Sequence, residues 1–179
     1  MDIDKEALPK NAQISLFLLE ADHVTEDYVS WLNDPQVNQY LECRFFMHTI
    51  ASTRKFVQAM LDSPDNLFLG IRSHLLDRHV GNVKIGPIDK NHGFSAVGIM
   101  IGEKKAWVKG IGGLTINMII EIARNQLLLR KITAGCYMSN VASQRTFERS
   151  GFVIDGVCKQ HYLLNEKPED LVMMSKYLR

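Results

Sequence analysis

The chain has 179 residues, the size of one ordinary domain, and its 46% hydrophobic content is ample for a single core. Lys and Arg number 21 against 20 Asp and Glu, a formal net charge of +1. That balance excludes the basic excess that drives binding to a nucleic-acid backbone, so residues 1–179 are read as one domain with no nucleic-acid partner.

The start, Met1-Asp2-Ile3-Asp4-Lys5-Glu6, is charged and lacks the apolar centre of a signal peptide. No apolar stretch approaches the ~18 residues that span a bilayer, so a cytoplasmic protein with no membrane partner is expected. Residues 13–19 alternate as a first strand. Thr25 can cap a helix over 26–33 that lines up Tyr28, Trp31 and Leu32 and stops before Pro35, and a second short helical piece carries Val37, Tyr40 and Leu41. Residues 42–48 mix charge, aromatics and a histidine without period and read as a loop beside a cleft. Ser52 opens a helix with Phe56, Val57, Met60 and Leu61 at core spacing, closed by Ser63-Pro64-Asp65-Asn66.

The period then changes. Residues 67–72 and 79–86 form a hairpin, and a third antiparallel strand over 94–101 follows the turn at 89–93. A helix over 112–128 presents Leu114, Met118, Ile119 and Ile122 on one face and Ile116, Ile120 and Leu127 on another, which permits a homodimer as well as a monomer. The strand over 131–138 should lie parallel to 94–101. Ser139 or Asn140 caps a helix running to Ser150, and strands over 152–163 and 170–178 close the chain as an antiparallel pair. Cys43, Cys136 and Cys158 are odd in number with no C-x-x-C spacing, so reduced, mostly buried thiols and no metal site are expected.

Between 97 and 113 an apolar run gives way to Gly110-Ile111-Gly112-Gly113 at a helix start. Glycines allow a sharp turn and close approach, and the helix N-terminus attracts an anion, which is the physics of a phosphate site. The pattern is not a P-loop, because no Lys-Ser or Lys-Thr follows, and not a dinucleotide fingerprint, because G-x-G-x-x-G is absent and antiparallel strands precede it.

One helix and one strand later comes Asn140-Val141-Ala142-Ser143-Gln144-Arg145-Thr146-Phe147-Glu148-Arg149-Ser150-Gly151-Phe152. The pair of segments resembles the GNAT superfamily of acetyl-CoA-dependent N-acetyltransferases, and most closely its ribosomal-protein-alanine branch of the RimJ/RimL type. The resemblance implies an α/β GNAT fold: a mixed, mostly antiparallel sheet of about seven strands with helices on both faces, and a cleft where two central parallel strands diverge. It implies acetyl-CoA as cosubstrate and a primary amine as acceptor, either a small amine such as a nucleotide-linked amino sugar or a protein N-terminal α-amine.

Trp107, Val108, Lys109, Gly110, Ile111, Gly112 and Gly113 fall on the family's pyrophosphate loop, with Trp107 in place of the usual Gln or Arg. Ile99, Met100 and Ile101 match the strand that lends its backbone to the pantetheine arm, with the N–H of Met100 or Ile101 as the candidate oxyanion donor, and Asn140 and Ser143 match positions lining the coenzyme. Ala96 and Phe147 stand where relatives carry a carboxylate and a tyrosine acid. Replacement bases are sought among Glu42, His48, His92 and Glu103, with Glu42 first and His48 among the catalytic candidates. Arg44 and Phe45 then border the acceptor, the guanidinium holding an acceptor anion. A coenzyme-binding sensor without turnover is the alternative that the missing acid and carboxylate motivate.

Overall fold

The computed structural model describes residues 8–178; the charged start of the chain lies outside them. Among the described residues seven strands form one sheet in the order β1-β2-β3-β4-β5-β7-β6. These are β1 (Ile14–Leu18), β2 (Leu67–Ser73), β3 (Arg78–Asp89), β4 (Phe94–Ile101), β5 (Lys131–Tyr137), β6 (Val153–Leu164) and β7 (Lys167–Tyr177). Only β4 and β5 run parallel; every other neighbouring pair is antiparallel. The mixed, mostly antiparallel seven-stranded sheet is the one expected.

Among the described residues five α-helices cover it: α1 (Glu26–Asn33), α2 (Pro35–Asn38), α3 (Ile50–Asp62), α4 (Ile111–Asn125) and α5 (Val141–Arg149). Strand side chains alternate between two faces, and each face has its own core. On one, Leu69, Ile71, Val83, Ile85, Val97 and Ile132 pack with Ile116, Ile119 and Ile122 of α4 and Phe147 of α5. On the other, Tyr28, Val29 and Trp31 of α1 meet Val57 of α3, with Phe17, Phe68 and Met100 against them.

Thr25 caps α1 as expected, its hydroxyl accepting from Tyr28 N. Helix α3 begins two residues before Ser52, because Thr49 is the cap and Ser52 closes a capping box back onto it. Ile116 and Ile120, which left room for a dimer, are 0% and 7% exposed. The surplus apolar face of α4 is therefore consumed within the chain. Of the thiols only Cys136 is fully buried, while Cys43 is half-buried and Cys158 exposed. Among the described residues no helix is long and apolar enough to cross a membrane.

His79 sits among the rings of Trp31, Phe17 and Tyr28 at centroid distances of 5.2, 5.3 and 5.6 Å. Its Nε2 meets Gly81 O and Asn82 Oδ1, both at 2.8 Å; two acceptors there require the proton on Nε2. Burial holds its pKa below the ordinary histidine value of 6.5. The unfolded chain then binds the proton more readily, so this contribution is complete above pH 6.5 and is lost as pH falls through the lowered folded value. Thermal melts from neutral to mildly acidic pH are expected to fall more steeply for the native chain than for His79→Gln; parallel curves would remove His79 as the source.

Candidate active site

The two parallel strands stay together briefly. β4 and β5 pair at Phe94 with Lys131, Ser95 with Ile132 and Ala96 with Thr133, and the register ends there. Beyond it, Val97 to Ile101 remain laddered to β3, and β5 continues against β7 to the pair of Tyr137 with Leu171. A gap therefore opens toward the C-terminal ends of both strands, with Ala96 and Thr133 at its floor.

Backbone parity decides which groups of β4 face it. Gly102 N donates to Val80 O at 2.9 Å, and the register of Gly81 with Ile101 runs unbroken to Ile85 with Val97. In an antiparallel ladder alternate residues point to the same neighbour, so Met100, like Gly102, directs its N–H and C=O to β3. Ile99 and Ile101 direct theirs into the gap. Of the two expected donors this removes Met100, whose amide belongs to the ladder, and leaves Ile101 facing the gap.

At the mouth of the gap the chain makes a 3-10 turn, Lys104–Ala106, and reaches the glycine loop. Lys104 Nζ fastens the turn to Asp34 Oδ2 at 2.5 Å and to Gln36 Oε1 at 2.7 Å. Trp107 folds back, its indole Nε1 donating to Ile101 O at 2.8 Å. Val108 has φ 55° and a wholly exposed side chain, and Gly110, at φ 74° and ψ 2°, occupies the N-cap of α4 in the left-handed region. The helix starts one residue before the expected Gly112. Its ladder begins with Leu114 N on Gly110 O at 3.1 Å, so the amides of Ile111, Gly112 and Gly113 precede it. A Cβ built at Gly110 or Gly113 meets nothing within 4 Å, and one at Gly112 meets only Thr146 Cγ2 at 3.4 Å. Packing within the chain does not require these glycines; they leave bare N–H groups at a positive helix end, a fit for phosphate oxygens.

Beside the loop, Asn140 Oδ1 caps α5 by accepting from Ser143 N at 3.2 Å, and Ser143 Oγ lies 3.4 Å from Cys136 Sγ. Burial raises the Cys136 thiol, so it stays protonated there. Phe147, 2% exposed, packs edge-on against Phe152 at 4.9 Å and belongs to the core.

The opposite wall is built by residues far apart in sequence. Glu42 and Arg44 lie on a 3-10 turn, Glu42–Phe45. Tyr137 O–H donates to Glu42 Oε1 at 2.5 Å and accepts from Arg44 Nη2 at 2.9 Å. Arg44 Nη2 also donates to Leu163 O at 2.9 Å, while Nη1 donates to Leu41 O at 2.9 Å and Glu42 Oε1 at 3.3 Å. Four bonds use the four Nη hydrogens, and the guanidinium carbon lies 4.2 Å from the Phe45 ring centroid. Arg44 is therefore a clamp between this turn, β5 and β6, which corrects its expected part in holding an acceptor anion. Tyr137 stacks on Tyr162 at 4.8 Å and 17° and lies 5.6 Å from Tyr40. Burial, then the bond to Glu42, push its phenol up to about 12, so it remains a donor at neutral pH.

The other candidate bases are placed differently. His48 Nε2 donates to Cys43 O at 2.9 Å, and its backbone N and O are bonded to the Asn33 carboxamide at 2.9 Å each, so it closes the 43–48 turn. Glu103 caps Lys105 N at 3.0 Å and pairs with Arg78 at 3.5 Å. His92 precedes β4 at the end of the strand away from the gap. Tyr137, absent from the sequence-based candidates, shares the strand parity of Thr133 and Gly135, the face opposite the buried Ile132, Ala134 and Cys136. A buried tyrosine announces a hydrogen-bond partner, but not that it lies 95 positions earlier.

A family model described as Acetyltransferase (GNAT) domain matches residues 15–153. The probable N-acetyltransferase YjcK of Bacillus subtilis (strain 168) is 27% identical over 127 residues, which span 69% of this chain and 70% of that protein. Among solved structures, the spermidine N-acetyltransferase of Vibrio cholerae in complex with CoA and spermine superposes with a TM-score of 0.84 at 18% identity, covering 94% of this chain and 97% of that one. The microcin C7 self-immunity acetyltransferase MccE, in complex with acetyl-CoA and AMP, gives 0.81 at 22% identity over 93% of each chain.

Proposed function

The chain belongs to the GNAT family of acetyltransferases, and from that premise we propose that it transfers the acetyl group of acetyl-CoA to a primary amine held between β4 and the Glu42–Tyr137 wall. The observation that carries this is the parting of β4 and β5 after Ala96 and Thr133, beside the bare first turn of α4. Bound there, acetyl-CoA supplies an activated thioester acyl group.

The residues divide the work by position. Amides of Ile111, Gly112 and Gly113, with Lys109 and Gly110 shaping the turn, hold the pyrophosphate. Ile101, nearer the loop, faces the pantetheine arm, and Ile99, deeper in the gap, offers its N–H to the acetyl oxygen as charge develops. Asn140 and Ser143 border the coenzyme from α5. Glu42, fixed through Oε1 by Tyr137 and Arg44, receives the amine, first as an ammonium by charge and then by taking its proton. Phe45 and Tyr162 border the acceptor, and Arg44 holds the wall in place.

Small amines suit this wall of one carboxylate and three tyrosines. The RimJ/RimL-type reading substitutes a protein N-terminal α-amine. Free-thiol release from acetyl-CoA, measured with spermidine, a nucleotide-linked amino sugar and a peptide with a free N-terminus, separates the two. Ala96 and Phe147 favour one rival, a coenzyme-binding sensor: tight CoA binding with no thiol release on any amine would establish it in place of the enzyme. For the amine that reacts, Glu42→Gln is expected to lower kcat/KM about a hundredfold. An unchanged pH–rate profile would take Glu42 out of the proton transfer.

A further inference from the structure

We infer that Trp107 occludes the pantetheine track and that coenzyme binds by displacing its indole; the inference rests on the acetyl-CoA reading above. Three observations carry it. Ile101 directs its N–H and C=O away from β3, into the gap. Trp107 Nε1 is 2.8 Å from that carbonyl oxygen. Because Nε1 is a ring atom, a bond of this length puts the ring itself along the free edge of β4, where an arm running from the α4 loop toward Ile99 must pass. The indole thus competes twice, as a rival donor for Ile101 O and as volume in the track.

The surroundings let the indole leave without the backbone. Trp107 N is held by Lys104 O at 3.1 Å, in a turn tied to Asp34 and Gln36 through Lys104. The residue is 36% exposed, and Val108, Lys109 and Gly110 after it are exposed as well, so side-chain rotation alone carries the ring into solvent. Where a Gln or Arg would lie alongside the coenzyme, this chain has a flat donor that satisfies its own strand edge. Trp107 therefore sets coenzyme affinity by the cost of its displacement, and a chain without the Nε1 donor should bind more tightly.

The test is calorimetry of native protein and Trp107→Phe with two probes: CoA, and adenosine 3′,5′-bisphosphate, which has the phosphates without the arm. Loss of one competing hydrogen bond is expected to tighten CoA by about three- to tenfold and to leave the bisphosphate unchanged. Fluorine NMR of 5-fluorotryptophan protein reads the motion directly. Its two resonances come from Trp31 and Trp107, the second assigned by its loss in the variant, and CoA should move Trp107 toward the solvent-exposed position while Trp31 stays. Equal or weaker CoA binding by a folded Trp107→Phe overturns the occlusion, and so does equal tightening of both probes. Absence of heat with CoA for either protein overturns the coenzyme reading itself, and the occlusion with it.

Discussion

Gly113→Glu is expected to abolish useful CoA binding while the protein melts at the native temperature or above. The side chain enters open space, since a Cβ at Gly113 meets nothing within 4 Å. It also stands three residues after the Gly110 cap, where a carboxylate favours the helix end by ~0.3–1 kcal/mol. The same charge faces the coenzyme phosphates. Two unit charges ~5 Å apart at an effective dielectric near 20 repel by ~3 kcal/mol, about a hundredfold in Kd. Calorimetry with CoA beside a thermal melt reads both effects. Native affinity in this variant would place the phosphates elsewhere than on the first turn of α4.

The second large effect belongs to Arg44. Its side chain is 13% exposed and uses four Nη hydrogens on Leu41 O, Glu42 Oε1, Tyr137 O–H and Leu163 O. Arg44→Met keeps an apolar stem and removes the fork, with its contact over the Phe45 ring. Hydrogen bonds to charged groups and the desolvation of partners left alone suggest a loss of about 2–3 kcal/mol, or about 5–10 °C in Tm for a chain of this size. Arg44→Lys should recover little, because a point charge cannot reach carbonyls of two segments and a phenol together. Tyr137→Phe, which removes one hydroxyl and keeps the ring stack on Tyr162, should cost about 1 kcal/mol. If Arg44→Met melts like the native protein, the clamp is not what joins the 3-10 turn to β5 and β6.

The two variants mark where the sequence could and could not be read. Gly113 lies in a contiguous stretch whose chemistry is local: an apolar strand, a glycine turn and a helix start imply an anion site without knowledge of any distant residue. Arg44 lies in a stretch without period, and its partners come from residues 41, 42, 137 and 163. A free guanidinium beside a cleft suggests an anion, whereas one whose four Nη hydrogens are taken is a fastening, and the difference is visible only when all four acceptors are in place. His48 and Glu103 show the same limit: His48 Nε2 is bonded within its own turn, and Glu103 spends both oxygens on Lys105 N and Arg78.

By itself the sequence determined the seven strand segments, the antiparallel run β2-β3-β4, the parallel β4 and β5, the closing β6 and β7 pair, the capped α1 and the glycine loop at the start of α4, while the pairings of β1 with β2 and of β5 with β7 came from the structure. Those follow from hydrophobic period, caps and chain reversal, all of which act over a few residues. Tertiary structure alone decided which backbone amides of β4 face the gap, because that depends on register with β3, where a shift of one residue exchanges Met100 for Ile99 and Ile101. It alone brought Tyr137 to Glu42 and laid Trp107 on the free edge of Ile101. Such contacts depend on where distant segments meet, and that is set by packing both faces of the sheet at once.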